Sequence, residues 1–291
     1  MSSPAGTLAS STRPRATIRV RLLRHRSFRV SAGVVAVLLV LAALGPVLAP
    51  ADLFDVDIGN RLQPPGPGHP FGTDEFGRDI LVRLIHGTRI SLSVGAISVG
   101  ISLGIGGLLG LVGAYAGGLP DLLVVGVIDL LLAFPTLLLA LAVVAILGPS
   151  LEHTMLAVGV SGVPGFARLT RSTVLVVKEH AYIEAARAMG AGHGRILRRH
   201  ILPNIAASII VLTTLAFPAA ILSTAALGFV GLGAQPPTPE WGTMLAGARI
   251  YMLRAPWLVN IPGLAIVITV LAFNLLGNAL RDVLDPRLRA Q

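Results

Sequence analysis

Apolar residues in this chain come in long unbroken runs. Five stretches carry no Asp, Glu, Lys or Arg: 30–51, 90–120, 130–151, 201–239 and 255–280. An Arg or Asp at the centre of a membrane helix costs about 3 kcal/mol, whereas a Leu returns only about 0.5 kcal/mol, so charge-free runs of this length point to a bilayer as solvent. About 20 apolar residues make one helical crossing. The pattern predicts six crossings, over 28–49, 91–114, 122–147, 154–169, 204–227 and 261–280. The fourth is short, and Gly162-Val163-Pro164-Gly165 is expected to interrupt it, because Pro removes a backbone donor and kinks a helix. Neighbouring helices can compensate for such a break.

The polar segments between the runs set the orientation. The N-terminal arm holds Arg13, Arg15, Arg19, Arg21, Arg24, Arg26 and Arg29 with no acid; the segment after the fourth crossing holds Arg168, Arg171, Lys178, Arg187, Arg195, Arg198 and Arg199; the tail adds Arg281, Arg287 and Arg289. These three regions carry 17 of the 23 basic residues, and basic loops stay in the cytoplasm. An even number of crossings puts all three, and both termini, on that side. The arm is read as an orientation anchor. The alternatives are a cleaved signal peptide ending at Ala49-Pro50-Ala51 and a helix lying on the membrane surface. Residues 62–72, rich in Pro and Gly, read as an extended outer loop. Residues 79–86 read as a short amphipathic helix, with Asp79 pairing Arg83 at i,i+4 and Gly87 ending it. The chain thus divides into a basic arm (1–27), a first crossing with its outer loop (28–87), a core of five crossings (88–281) and a tail (282–291).

Composition agrees. Of 291 residues, 54% are hydrophobic and 13% charged, against about 25% charged in soluble domains. The formal charge of +9 sits at the ends of apolar runs, which excludes a nucleic-acid partner. There is no cysteine, and the single lysine, Lys178, follows Val177, so the chain has no phosphate-binding Gly-x4-Gly-Lys-Ser/Thr loop. Any ATP chemistry must come from another subunit. Asp129 is the one ionisable residue well inside a predicted crossing, with no basic partner in reach by sequence; it is expected to face another helix or a wet cytoplasmic cavity. Gly100-Ile101-Ser102-Leu103-Gly104 matches the serine-hydrolase Gly-x-Ser-x-Gly, a motif that works on a strand-to-helix turn. Inside an apolar run, with Gly106-xxx-Gly110 and Gly113-xxx-Gly117 following, it reads instead as helix packing. No metal-ligand pair is present, and each of the seven His residues is assigned a structural role.

One polar segment is different. Ala181 to Met189 favours helix, Gly190 suits a helix C′ position, residues 196–201 form a second short basic helix, and Pro203 marks its end. A compact helical hairpin with an Ala-rich surface is predicted at the cytoplasmic face, open to close approach by another protein.

Glu184-Ala185-Ala186, Gly190 six residues after the Glu, and Leu202-Pro203 resemble the coupling motif of ABC importer permeases. Further matches are Phe71-Gly72-Thr73-Asp74-Glu75-Phe76-Gly77-Arg78-Asp79, Ala133-Phe134-Pro135, Leu227-Gly228-Phe229-Val230-Gly231-Leu232-Gly233, Pro239-Glu240-Trp241-Gly242, Pro256-Trp257, and the tail from Ala272-Phe273-Asn274 through Asp285-Pro286-Arg287. Together they resemble the C-type permeases of dipeptide and oligopeptide importers over about residues 27 to 289. The resemblance implies an all-α integral membrane protein with six transmembrane helices in the type I ABC importer permease fold. It implies that Glu184, Ala185, Ala186, Gly190, Arg195, Ile196, His200, Leu202 and Pro203, in a coupling loop over 170–203, dock onto an ATPase. It also implies partners: a B-type permease forming a heterodimer, two ATP-binding subunits or one fused ATPase, and an extracytoplasmic substrate-binding protein. No cofactor belongs to this chain; ATP and Mg belong to the ATPases. The chain departs from the family at Gly192-His193-Gly194, where a Ser-Asp pair would cap the second short helix, at Gly126, where an Arg is often found, and at Asn278, where Asp is common. Peptide uptake is the function implied. Nickel and glutathione importers share these signatures, and an ion-coupled transporter is the reading from a different class. The outer loop from 228 to 256 is expected to face the binding protein, with Trp241 and Trp257 at the membrane–water interface.

Overall fold

The computed structural model describes residues 22–23, 25–50 and 56–284. Arg13, Arg15, Arg19, Arg21, Arg24, Ala51, Arg287 and Arg289, and the expectations placed on the arm and the end of the tail, lie outside the described residues.

Among the described residues the regular elements are helices. Helix α1 is Arg26–Leu48. Helix α2 (Ile80–Ile101) runs through a π-helical turn (Ser102–Gly106) into α3 (Gly107–Ala116). Helices α4 (Gly118–Leu132) and α5 (Thr136–Leu147) meet at a bend of 89°. Helix α6 is Leu151–Lys178. A short α7 (Ala181–Ala188) precedes a single turn, α8 (His193–Ile196), which passes through a π-helical turn (Leu197–Ile201) into α9 (Leu202–Phe229). Helix α10 (Trp241–Ala248) and α11 (Trp257–Leu284) complete the bundle.

Four stretches are long and apolar enough to cross a membrane: Arg26–Gly45, Ile80–Ala116, His193–Phe229 and Trp257–Leu284. The α4–α5 pair makes a fifth if it is one broken span. The remaining predicted crossing, 154–169, lies in α6, which is long enough at 28 residues but falls short of the others in hydropathy because it carries Glu152, Arg168, Arg171 and Lys178. Its centre is nevertheless packed on several sides: Ala157, Val158, Val163, Phe166 and Ala167 are buried, and α2, α3, α5 and α9 pack around it. The expected interruption at Gly162–Gly165 does not occur. Pro164 is buried inside a continuous helix, enclosed by the neighbours that Pro-containing membrane helices rely on.

Glycines set how closely these helices approach. A Cβ on Gly106 would collide with Val163 O and stand 2.9 Å from Phe166 Cβ; on Gly110 it would collide with Ala167 O and stand 2.9 Å from Arg171 N. The Gly106-xxx-Gly110 pair is thus the seam between α3 and α6. The Gly100-xxx-Gly104 pair is not: neither glycine has a neighbour within 4 Å of its would-be Cβ. That face is left open among the described residues. Ser102, between them, turns inward and donates to the carbonyl of Gly159 at 2.7 Å, a packing contact between helices.

The predicted outer helix at 79–86 is the first part of α2, and Gly87 does not end it. Gly87 instead lets Pro239 O come within 2.6 Å of its would-be Cβ, with Trp241 against it. Asp79 does not pair with Arg83. It caps α2 by accepting from Leu81 N (2.7 Å) and Val82 N (3.1 Å), and it meets His69 Nδ1 at 2.9 Å. Arg83 goes to Asp74 (3.5 Å), which also holds Arg78 at 2.7 Å, all three side chains buried. The Gly-rich motif at 71–79 is therefore a folded knot: Gly72 and Gly77 take positive φ where other residues are strained, and Asp74 Oδ1 accepts from Phe76 N and Arg78 N. Trp241, expected at the lipid interface, is fully buried at the start of α10. Trp257 donates to Thr73 O at 3.4 Å.

Candidate functional site

The hairpin between α6 and α9 is built on isoleucines. Ile183 of α7, Ile196 of α8, Ile201 of the π turn and Ile205 at the start of α9 are buried with Ala114, Val174 and Val177. Fully burying an Ile contributes about 1.5–3 kcal/mol, so the hairpin is pinned to the ends of α3 and α6. Lys178 strengthens that seam: its Nζ donates to Ala114 O at 3.0 Å, satisfying a carbonyl left over at a helix C-terminus. Tyr115 Oη stands 2.8 Å from His193 Nδ1, tying α3 to α8.

Helix α7 ends in a Schellman motif, in which a left-handed residue lets two N–H groups reach back to the last turn. Gly190 takes φ +79°. Its N–H donates to Arg187 O at 2.9 Å, and Ala191 N–H donates to Ala186 O at 3.0 Å. The chain then reverses into α8, whose N-cap, Gly192, offers no side-chain cap. The second short helix is not a separate unit ended by Pro203. It winds through a π turn into α9, and Pro203 is the second residue of that helix, directly after the π turn.

The candidate coupling residues divide between two faces. Glu184, Ala185, Gly190, Arg195, Leu202 and Pro203 are exposed, and His200 is half-buried beside the Tyr182 ring at 6.1 Å. Ala186 and Ile196 are buried and act from below, holding the hairpin down. Sequence reading missed Met189, which is 82% exposed at the tip, and the anchors Ile183 and Lys178. The three-residue spacing of Ile183 and Ala186 carried a signal for the first anchor. The exposed face thus mixes Glu184 with Arg187, Arg195, Arg198 and Arg199, small side chains and a flexible apolar tip, and among the described residues no ion pair consumes Glu184.

Two ion pairs tie α4 to α6 above the hairpin. Arg171 grips Asp121 with two bonds, Nε to Oδ1 at 2.7 Å and NH2 to Oδ2 at 2.8 Å. Arg168 NH2 reaches Asp129 Oδ1 at 3.1 Å. Asp129 therefore has a basic partner, 39 residues away in sequence and supplied by the helix that the sequence marked least clearly.

At the opposite end of the bundle, Glu240 is 2% exposed. It caps α10 by accepting from Gly242 N (3.0 Å) and Thr243 N (2.9 Å), and Ser91 of α2 donates to it at 3.4 Å. Beside it a cleft of about 300 Å³ opens between the Asp74 knot and the 228–243 segment, lined by Glu75, Arg78, Arg83, Gln235 and Thr243 among others.

Residues 102–290 match the family described as the binding-protein-dependent transport system inner membrane component, and residues 14–65 match the N-terminal transmembrane domain of oligopeptide transport permease C. The chain is 48% identical to a dipeptide transport system permease of Alkalihalophilus pseudofirmus, over 87% of this chain and 83% of that protein. It is 53% identical to a di/tripeptide transport system permease of Pseudomonas aeruginosa, over 75% and 72%. It is 47% identical to a glutathione transport system permease of Pectobacterium atrosepticum, over 93% and 90%. In fold it is similar to a chain of the MetNI methionine ABC transporter in an inward-facing conformation, with a TM-score of 0.57, 21% identity, and coverage of 69% of this chain and 96% of that one. The long central helix, the hairpin docked beneath it and these matches agree, and the chain belongs to the family of inner-membrane components of binding-protein-dependent transport systems, the permease subunits of ABC importers.

Proposed function

We propose that this chain is one of two permease subunits that form the pathway for peptide uptake across the bacterial cytoplasmic membrane, with the hairpin at 179–203 seated on an ATPase subunit. It crosses the membrane six times, α6 included, and both termini lie in the cytoplasm. The observation that carries this reading is the two-faced hairpin: isoleucines fix one face to the bundle, while Glu184, Ala185 and Met189 are offered outward. ATP and Mg belong to the ATPases. Their closure moves the hairpin and rocks the bundle between inward-open and outward-open states. Driving such an equilibrium from 1:99 to 99:1 takes about 5.5 kcal/mol, which a firmly anchored hairpin can transmit. The opposite end, with the cleft beside Glu240, meets a substrate-binding protein.

The names of the relatives support a peptide substrate. Glutathione, itself a tripeptide, is the second reading, favoured by the relative named for it. Uptake of a radiolabelled dipeptide by cells expressing the transporter, challenged with excess unlabelled dipeptide or glutathione, separates the two. Competition by dipeptide alone is expected. Uptake that neither compound reduces overturns the peptide reading.

A further inference from the structure

The two ion pairs between α4 and α6 differ. Asp121 and Arg171 are bound by both prongs and largely covered. Asp129 and Arg168 share one bond, and their side chains are 60% and 64% exposed. Among the described residues neither side chain makes another hydrogen bond, so one carboxylate oxygen and most of the guanidinium edge are unused.

Their depth makes that exposure informative. Asp129 lies about 16 Å along α4 from its start at Gly118, and Arg168 about 15 Å along α6 from its end at Lys178. Arg168 thus falls at the cytoplasmic end of the predicted crossing 154–169 and Asp129 about two turns inside the predicted crossing 122–147, so the pair belongs to the cytoplasmic half of the bundle. Charges at that depth face a water-filled path or the interior of an assembly rather than lipid. The surroundings are open. Gly126, one turn before Asp129, and Gly165, one turn before Arg168, are both exposed with nothing within 4 Å of a would-be Cβ. Helix α4 ends just beyond, at Leu132, so the negative end of its dipole adds to the Asp129 carboxylate.

We propose that Asp129 and Arg168 line the translocation pathway and receive the two charged ends of a zwitterionic peptide, the ammonium on Asp129 and the carboxylate on Arg168. The inference rests on the importer reading above. One negative and one positive group, side by side and each half-satisfied, complement a molecule with free termini. The glycines leave room beside them for its backbone. The contact is weak enough to release: a single exposed ion pair is easily exchanged for substrate.

The chain has no native cysteine, which allows a direct test on the whole transporter in inside-out vesicles. Gly126→Cys and Gly165→Cys, made singly, are treated with a membrane-impermeant maleimide, and labelling of this chain is followed. Dialanine or N-acetyl-dialanine amide is added at equal concentration. Both cysteines are expected to label, and dialanine to slow labelling about fivefold while the blocked peptide does not. Protection should vanish in Asp129→Asn with Arg168→Gln and persist in Asp129→Glu with Arg168→Lys. Should the neutral variant fail to assemble, the contrast between free and blocked peptide in the otherwise native background still decides. No labelling at either position, meaning that lipid or the second permease covers this face, overturns the proposal. So does equal protection by both peptides, or protection that survives neutralisation. Dialanine uptake by the native transporter is measured alongside: its absence sinks the peptide reading, whereas uptake without protection sinks only this site.

Discussion

Arg171 holds Asp121 through both of its carboxylate oxygens, at 2.7 and 2.8 Å, so that α4 and α6 are joined about two turns above the hairpin. Bidentate geometry makes such a pair stronger than a single contact, and partial exposure limits what it is worth. Asp121→Asn is expected to lower stability by about 1 kcal/mol. Thermal unfolding of the purified transporter checks this, and an unchanged midpoint would show that the pair ties nothing.

The conformation of Gly190 gives a sharper prediction about coupling. A β-branched side chain at φ +79° is strained by about 1–2 kcal/mol, and the Schellman closure goes with it. Gly190→Val should insert in the membrane normally yet lose peptide uptake and peptide-stimulated ATP hydrolysis. Gly190→Asn, which tolerates the left-handed region, should keep most of both. Equal behaviour of the two variants would remove the backbone explanation.

Glu240 gives a pH signature. Burial is the dominant influence and raises its carboxyl above the ordinary 4.5, with the bonds from Gly242, Thr243 and Ser91 opposing it. The folded protein therefore holds that proton more tightly than the unfolded chain does. Its stabilising contribution is complete below about pH 4.5 and is lost as pH rises through the elevated value. The unfolding midpoint of Glu240→Gln should lack this component, so the gap between wild type and variant should change across that window. Parallel pH profiles would exclude the effect.

Two glycine pairs on one continuous helical stretch should respond oppositely. Gly110→Ala forces a methyl into the backbone of α6, an overpacking that costs about 1–3 kcal/mol. Gly104→Ala adds a methyl where nothing stands within 4 Å and should leave the unfolding of the isolated chain unchanged. Circular dichroism melts of the two variants in detergent check the contrast.

Much of this was legible in the sequence, for a reason each residue makes plain. The charge-free runs announced α1, α2, α9 and α11 because lipid selects composition directly. Helix α6 was the weak point, since a helix enclosed by other helices keeps polar groups such as Thr154, Ser161 and Thr170 that lipid would not admit. The bend at Ala133-Phe134-Pro135 divides what the apolar pattern alone reads as one crossing, and its signal is the Pro, which disfavours helix at the residue before it. The Glu184–Gly190 unit was found by its pattern. Its division into an outward face and buried anchors needed three dimensions, as did the partner of Asp129. Trp241 shows the opposite error: its amphipathic ring suggests an interface, but Gly87 makes room to bury it.

One consequence concerns the unbroken rod from His193 to Phe229, 37 residues long, which begins at the hairpin and ends at the opposite mouth of the bundle. At 1.5 Å per residue it is about 55 Å from tip to tip. If the hairpin is moved by an ATPase as proposed, this stretch acts as a crank: a swing of about 10° about one end carries the other end about 10 Å, farther than the width of a dipeptide's backbone. On that proposal, a small stroke at the engine is enough to swing the far doorway, with no relay of side chains in between.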